Sequence, residues 1–222
     1  MAKDIKPATQ NDGKNSKVKS IKSVYVSTAI VALIFVGVII VLSMAGRELL
    51  SHISPSAKSM GVPEYVDVQL ISVDGHARRG VQLEGVKSIV VHYVGNPGTS
   101  AQANRNYFNS RGTTVSSHFV IGLEGEVILC VPLDEKSSAS NDRNRDSISI
   151  EVCHEDETGK FNDSSYAALV RLTAWLCEKY ELDPKTDVIR HYDVTGKLCP
   201  LYYVEHEDAW LDFLDAVDTY NE

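Results

Sequence analysis

His191-Tyr-Asp-Val-Thr-Gly-Lys197-Leu-Cys199-Pro200 places an imidazole, an ammonium and a thiol in one short stretch closed by a proline. Histidine and cysteine are ordinary zinc ligands, and a catalytic zinc takes three protein ligands and keeps one position for water. The third ligand has a candidate upstream. His92 stands near the end of the apolar run Ser88-Ile-Val-Val-His92-Tyr93, which reads as a buried strand delivering a side chain to a sheet edge. Taken singly, His191 reads as a surface-loop histidine and Cys199 as a buried thiol. Two histidines and a cysteine with a lysine close by suggest a hydrolase built around one zinc. The ligands lie in loops or at strand ends, which excludes the helical HExxH arrangement.

Outward from this stretch, residues 65–222 carry a mixed pattern. Strands are expected at 66–70, 88–93, 118–122, 126–131, 147–153 and 188–190, with Leu123-Glu-Gly-Glu126 as a hairpin turn. A helix is expected over 99–111, opening on the capping pair Thr99-Ser100 and closing before Gly112. In a second, over 164–180, Leu169, Leu172, Leu176 and Tyr180 share one face, widened by Val170, Thr173 and Cys177. A third, near 205–220, turns Trp210, Phe213, Leu214 and Val217 inward. The expected fold class is α/β, of mixed α+β character, with a central mixed β-sheet flanked by helices.

Charge divides the chain. The basic arm 1–22 carries six Lys and two Asp, a balance of +4, and the remainder carries 16 basic and 28 acidic residues, which recovers the net −8. An acidic main domain argues against a nucleic-acid partner. Residues 23–46 hold no charged side chain and are long enough to cross a hydrocarbon core of about 30 Å as one transmembrane helix. The lysines on its N-terminal flank place the N-terminus in the cytoplasm and the domain outside, as a single-pass membrane protein with the lipid bilayer as partner. The alternative is a cleaved signal peptide ending at Ser43-Met44-Ala45, against which stands the length of the apolar run. Residues 47–64, rich in Ser, Pro, Lys and Gly, read as an extracytoplasmic linker. Cys130, Cys153 and Cys177 read as small buried core residues. Nothing in the sequence points to a protein partner.

Four blocks resemble the type-two N-acetylmuramoyl-L-alanine amidases, the superfamily of phage endolysins and peptidoglycan recognition proteins. They are Ile89-Val-Val-His92-Tyr with Asn-Pro-Gly following, Ser117-His118-Phe-Val-Ile-Gly-Leu-Glu-Gly, Ser147-Ile-Ser-Ile-Glu151, and the His191–Pro200 stretch, which is the most specific. The resemblance implies a peptidoglycan-recognition-protein-like amidase fold, zinc as cofactor (one per chain) held by His92, His191 and Cys199, and peptidoglycan as substrate. It implies catalytic roles for Glu151, as acid and base, and for Lys197, beside the developing oxyanion. In the phage-lysozyme branch a tyrosine that assists catalysis precedes the His-Phe pair, and Ser117 stands there in this chain.

His118 is expected either to contact substrate or to sit half-buried at a strand start. Asn141 and Asp142 are expected either to contact the stem peptide or to form a hydrophilic turn. Two other functions stay open at this point: a non-catalytic peptidoglycan-binding receptor on the same fold, and a zinc endopeptidase of the stem peptide. Binding-only relatives have typically lost a zinc ligand, commonly the cysteine, and here all three ligand positions are filled.

Overall fold

The computed structural model of this protein describes residues 55–73 and 76–220. The basic arm expected at 1–22 and the membrane helix expected at 23–46 lie outside the described residues. Among the described residues, no helix is long and apolar enough to cross a membrane.

Six strands form one sheet: β1 (Val66–Val68), β2 (Ser88–Tyr93), β3 (Phe119–Ile121), β4 (Val127–Leu129), β5 (Ser147–Val152) and β6 (Val188–Arg190). Their order is β1-β4-β3-β5-β2-β6. β3, β5, β2 and β6 run parallel, β4 is antiparallel to β3, and β1 pairs parallel with β4. The described α-helices are α1 (Ala57–Met60), α2 (Ala101–Phe108), α3 (Asp163–Tyr180), α4 (Pro184–Asp187), α5 (His191–Thr195), α6 (Leu201–Glu205) and α7 (Glu207–Asp218), and a 3-10 helix spans Asn141–Arg145. The mixed sheet and its flanking helices match the expected class.

The alternation in β5 explains why the sheet has two unlike faces. Successive strand side chains point to opposite sides. Ile148, Ile150 and Val152 enter the main core, whereas Ser147, Ser149 and Glu151 face the other way. In β2 the same split sends Ile89 and Val91 into the core and His92 to the opposite face. The main core is closed by Leu169, Leu172 and Leu176 of α3 and by Trp210, Phe213, Leu214 and Val217 of α7. Each such side chain contributes on the order of 1.5–3 kcal/mol when fully buried. On the second face, Ala101 and Phe108 of α2 cover a smaller cluster with Val120, Ile128 and Cys130.

Local chemistry sets the element ends. Asn162 caps α3 by accepting the Ser165 N–H at 2.9 Å, and Ser100 caps α2 by accepting the Ala103 N–H at 3.2 Å. Gly125 makes the β3–β4 turn at φ +80, where an added Cβ would meet the Ser164 carbonyl oxygen at 2.9 Å. Cys130, Cys153, Cys177 and Cys199 are all buried and free of disulfides. Residues 57–62, within the segment expected as a linker, are instead packed on the domain: Val62 is in the main core, and Ala57 and Met60 lie against it. The Lys179 ammonium donates to the Gly61 carbonyl and ties this segment to the end of α3.

Candidate metal centre

The carboxyl ends of three neighbouring parallel strands deliver the site, which is where ligands collect in open α/β sheets. β2 ends in His92-Tyr93, β5 carries Glu151, and β6 runs directly into His191. The motif expected as a loop begins with the five-residue helix α5, too short to leave a periodic signal in sequence. Gly196, at φ 77, ends that helix and turns the chain so that Lys197 and Cys199 follow two residues apart. The Tyr192 N–H donates to the Cys199 carbonyl at 2.9 Å and closes the stretch on itself.

Arg190, which sequence reasoning passed over, holds this stretch to the domain. Its guanidinium binds both carboxylate oxygens of Asp193, at 3.0 and 3.1 Å, as well as the Tyr203 carbonyl and Glu207. A fork donating to this many acceptors fixes direction as well as distance.

His92, His191 and Cys199 converge, and all three are buried. One donor atom from each lies within 4.8 Å of the others, and Cys199 Sγ is 3.8 Å from His92 Nδ1. In a tetrahedral zinc site with bonds of about 2.0–2.3 Å, ligand atoms stand roughly 3.3–3.6 Å apart, and the Cys199–His92 pair is already close to that spacing. His191 Nδ1 is buried without a hydrogen-bond partner among the described residues. A buried lone pair is costly when left unpaired, and a cation is a fitting partner for it. The donor set therefore fits zinc.

Electrostatics agree. Burial holds the His92 imidazole well below its ordinary range, with repulsion from His191 and Lys197 adding to the effect. Burial, then Lys197, lowers His191 as well. Both rings are neutral near pH 7, the state that ligates. Burial, with Glu151 adding, pushes the Cys199 thiol up to about 12, so a metal must displace its proton. Glu151 is partly exposed in the same groove, but its Oε2 is shielded and unpaired among the described residues. Burial raises its carboxyl to about 8, against the downward pull of Lys197.

The groove holding these groups measures about 1260 Å³ and is lined by His92, Asn141, Glu151, His191, Lys197 and Cys199 among others. Of the expected site residues, His118 and Asp142 are absent from its lining, and Asp142 lies in the exposed turn that was the alternative for it. His118 is fully buried: Nδ1 accepts the Ser149 N–H at 3.0 Å and Nε2 lies 2.9 Å from the Glu135 carbonyl. Both ring nitrogens are spent on the fold, and burial lowers its pKa to about 4, so the expected substrate contact gives way to a structural role. Ser117 is buried too, with its hydroxyl donating to the Ser149 carbonyl at 2.8 Å. Asn141 does reach the site, through His191: its Oδ1 lies 3.1 Å from His191 Nε2. Ser140, missed in the sequence, lies 3.0 Å from His92 Nε2 through its Oγ. Its position in a run of small polar residues gave no signal.

Comparison with known proteins agrees with this geometry. A family model described as N-acetylmuramoyl-L-alanine amidase matches residues 82–201. The N-acetylmuramoyl-L-alanine amidase BlyA of Bacillus subtilis (strain 168) is 33% identical over 167 residues, covering 66% of this chain and 45% of that protein. The chain thus spans about half the length of such relatives. A mutant endolysin from Bacillus subtilis superposes with a TM-score of 0.59 at 28% identity, covering 68% of this chain and 97% of that structure. PlyL gives a TM-score of 0.62 at 23% identity over 71% of this chain and 99% of its own, which speaks for the shared fold. With the family model matching more than half of its residues, this chain belongs to the N-acetylmuramoyl-L-alanine amidase family.

Proposed function

We propose that the chain hydrolyses the amide joining N-acetylmuramic acid to the L-alanine of peptidoglycan stem peptides, with one zinc held by His92, His191 and Cys199. The observation that carries this reading is the convergence of one donor atom from each of those residues in the groove that Glu151 also lines, with His191 Nδ1 buried and unpartnered among the described residues. Zinc, when bound, supplies the Lewis acidity that activates water and polarises the lactyl carbonyl.

The remaining steps fall to the chain's own groups. Glu151 accepts the proton of the attacking water and hands it to the departing alanine nitrogen as the C–N bond breaks, which leaves a lactyl carboxylate and a free N-terminus. A carboxyl raised toward neutrality by burial is suited to both halves of that transfer. Lys197, on the groove wall, supplies fixed positive charge where the carbonyl oxygen gains negative charge, an effect of about 3–4 kcal/mol for an oxyanion-hole donor.

Mass spectrometry of purified peptidoglycan treated with the protein tests the reading. New N-terminal alanine on stem peptides is the expected product. New ends within the stem would favour an endopeptidase, and binding without products a receptor.

We also propose that residues 23–46 anchor the protein in a bacterial cell membrane with the N-terminus in the cytoplasm. The support is compositional: an uncharged apolar run preceded by a lysine-rich arm.

A further inference from the structure

Consecutive side chains reach the backs of the two imidazoles. Ser140 Oγ lies 3.0 Å from His92 Nε2, and Asn141 Oδ1 lies 3.1 Å from His191 Nε2. We infer that Ser140 and Asn141 form a two-headed positioning clamp, taking the Nε2 protons of both rings and presenting both Nδ1 lone pairs to one metal. The inference rests on the zinc reading above and goes further, since it makes one turn of chain responsible for the tautomer and direction of two ligands.

The chemistry of the acceptors supports this. With its carboxamide oxygen turned to the ring, Asn141 acts as acceptor, which assigns the His191 proton to Nε2. That leaves Nδ1 as the lone-pair nitrogen, and it is the atom found buried without a partner among the described residues. For His92, Nδ1 is the nitrogen that approaches Cys199, which assigns Nε2 to Ser140. A ring that donates from its far nitrogen is held in orientation and becomes a more basic ligand.

The clamp is itself held rigidly. Ser140 is fully buried. Asn144 Oδ1 accepts the N–H groups of both Ala139 and Ser140, at 3.0 and 2.6 Å. Arg143 then fixes the turn to the start of β2 by donating to Ser88 Oγ at 2.7 Å, and to Asp146 at 2.8 Å. Asn141 adopts φ 51, the left-handed region that non-glycine residues rarely occupy and asparagine tolerates best. A strained backbone persists where its surroundings over-determine it, and here it aims the carboxamide at His191.

The test is zinc affinity of the full chain in detergent, measured by competition with a chromogenic chelator, alongside the melting temperature of the metal-free protein. Ser140→Ala and Asn141→Gly should each weaken zinc binding by about 10- to 100-fold. Asn141→Asp, which keeps an acceptor at the same place, should retain most of the affinity. Glycine relieves the positive φ, so metal-free Asn141→Gly should melt no lower than wild type. Only a clamp predicts weaker zinc without a weaker fold. Zinc affinity within about twofold of wild type in both Ser140→Ala and Asn141→Gly would overturn the inference, as would a loss matched by an equal fall in metal-free stability. A wild-type protein that takes up no zinc would bring down the metal assignment along with it.

Discussion

Glu151 lies directly across from His92 in the parallel register of β2 and β5. Paired residues on adjacent strands project to the same face and sit about 4.8 Å apart in the hydrogen-bonding direction. Any cation held by His92 therefore has a carboxyl group beside it, set there by sheet register rather than by a loop. The same register exposes Glu151 to the groove while its neighbours Ile150 and Val152 fill the core.

Glu151→Gln should retain zinc and lose turnover by about 10²–10⁴, the range for general acid–base catalysis. Lys197→Ala should retain zinc too, and lose turnover by about 10²–10³ if the ammonium stabilises the oxyanion. Release of N-terminal alanine from peptidoglycan, read against metal content for each variant, checks both. Near-normal release by Glu151→Gln would move the proton to another group.

Cys199→Ser and His92→Ala should each lose most bound zinc, which wild type should hold at about one per chain. Chelation should lower the melting temperature of wild type, because a metal on these three residues would join β2 to the far stretch after β6 and bind only the folded state. Elemental analysis and thermal melts of the three proteins, with and without chelator, provide the measurement. Full zinc retention in both variants would discard the ligand set.

Much of this site was legible in the sequence, for reasons specific to each residue. Ser88–Tyr93 and Val188–Arg190 were expected within the bounds found, because apolar runs of that kind have little choice but a sheet interior. His191 and Cys199 stood out because a histidine and a cysteine gather beside a proline, and His92 because it stands near the end of an apolar run; the structure brings the three together. The fate of His118 was not legible. A histidine opening a strand reads alike whether it faces a groove or, as here, spends both nitrogens on Ser149 and the Glu135 carbonyl. Ser140 and Asn141 were illegible as a pair for a similar reason. Their partners lie about 50 residues away on either side, and only the tertiary fold brings them together.

The N-terminus should remain cytoplasmic in cells making the full chain. Protease added to intact protoplasts should remove the C-terminal domain and spare an N-terminal tag, as the lysines before residue 23 require. Domain found free in the medium with a new N-terminus at Gly46 would favour a cleaved leader.

Metal-free protein should reveal Glu151 through the pH dependence of stability. Its folded carboxyl is raised to about 8 from an ordinary 4.5, chiefly by burial. The folded state therefore holds this proton more tightly than the unfolded chain does. Stability from protonated Glu151 is fully present below about pH 4.5 and is lost as pH rises through about 8. Glutamine cannot ionise, so Glu151→Gln escapes that loss. With chelator present, the two proteins should melt together near the acid end. They should then separate in favour of the variant by on the order of a few kcal/mol toward the alkaline end, where the gap levels off. His92 and His191 are shifted the opposite way, and their stabilising contribution is lost as pH falls. They are present in both proteins and cancel in the difference. Adding zinc should shrink the gap, because a nearby cation favours the carboxylate. Thermal melts of both proteins from about pH 5 to about pH 9 measure it, and a gap that stays flat across that range would mean Glu151 titrates as an ordinary exposed carboxylate.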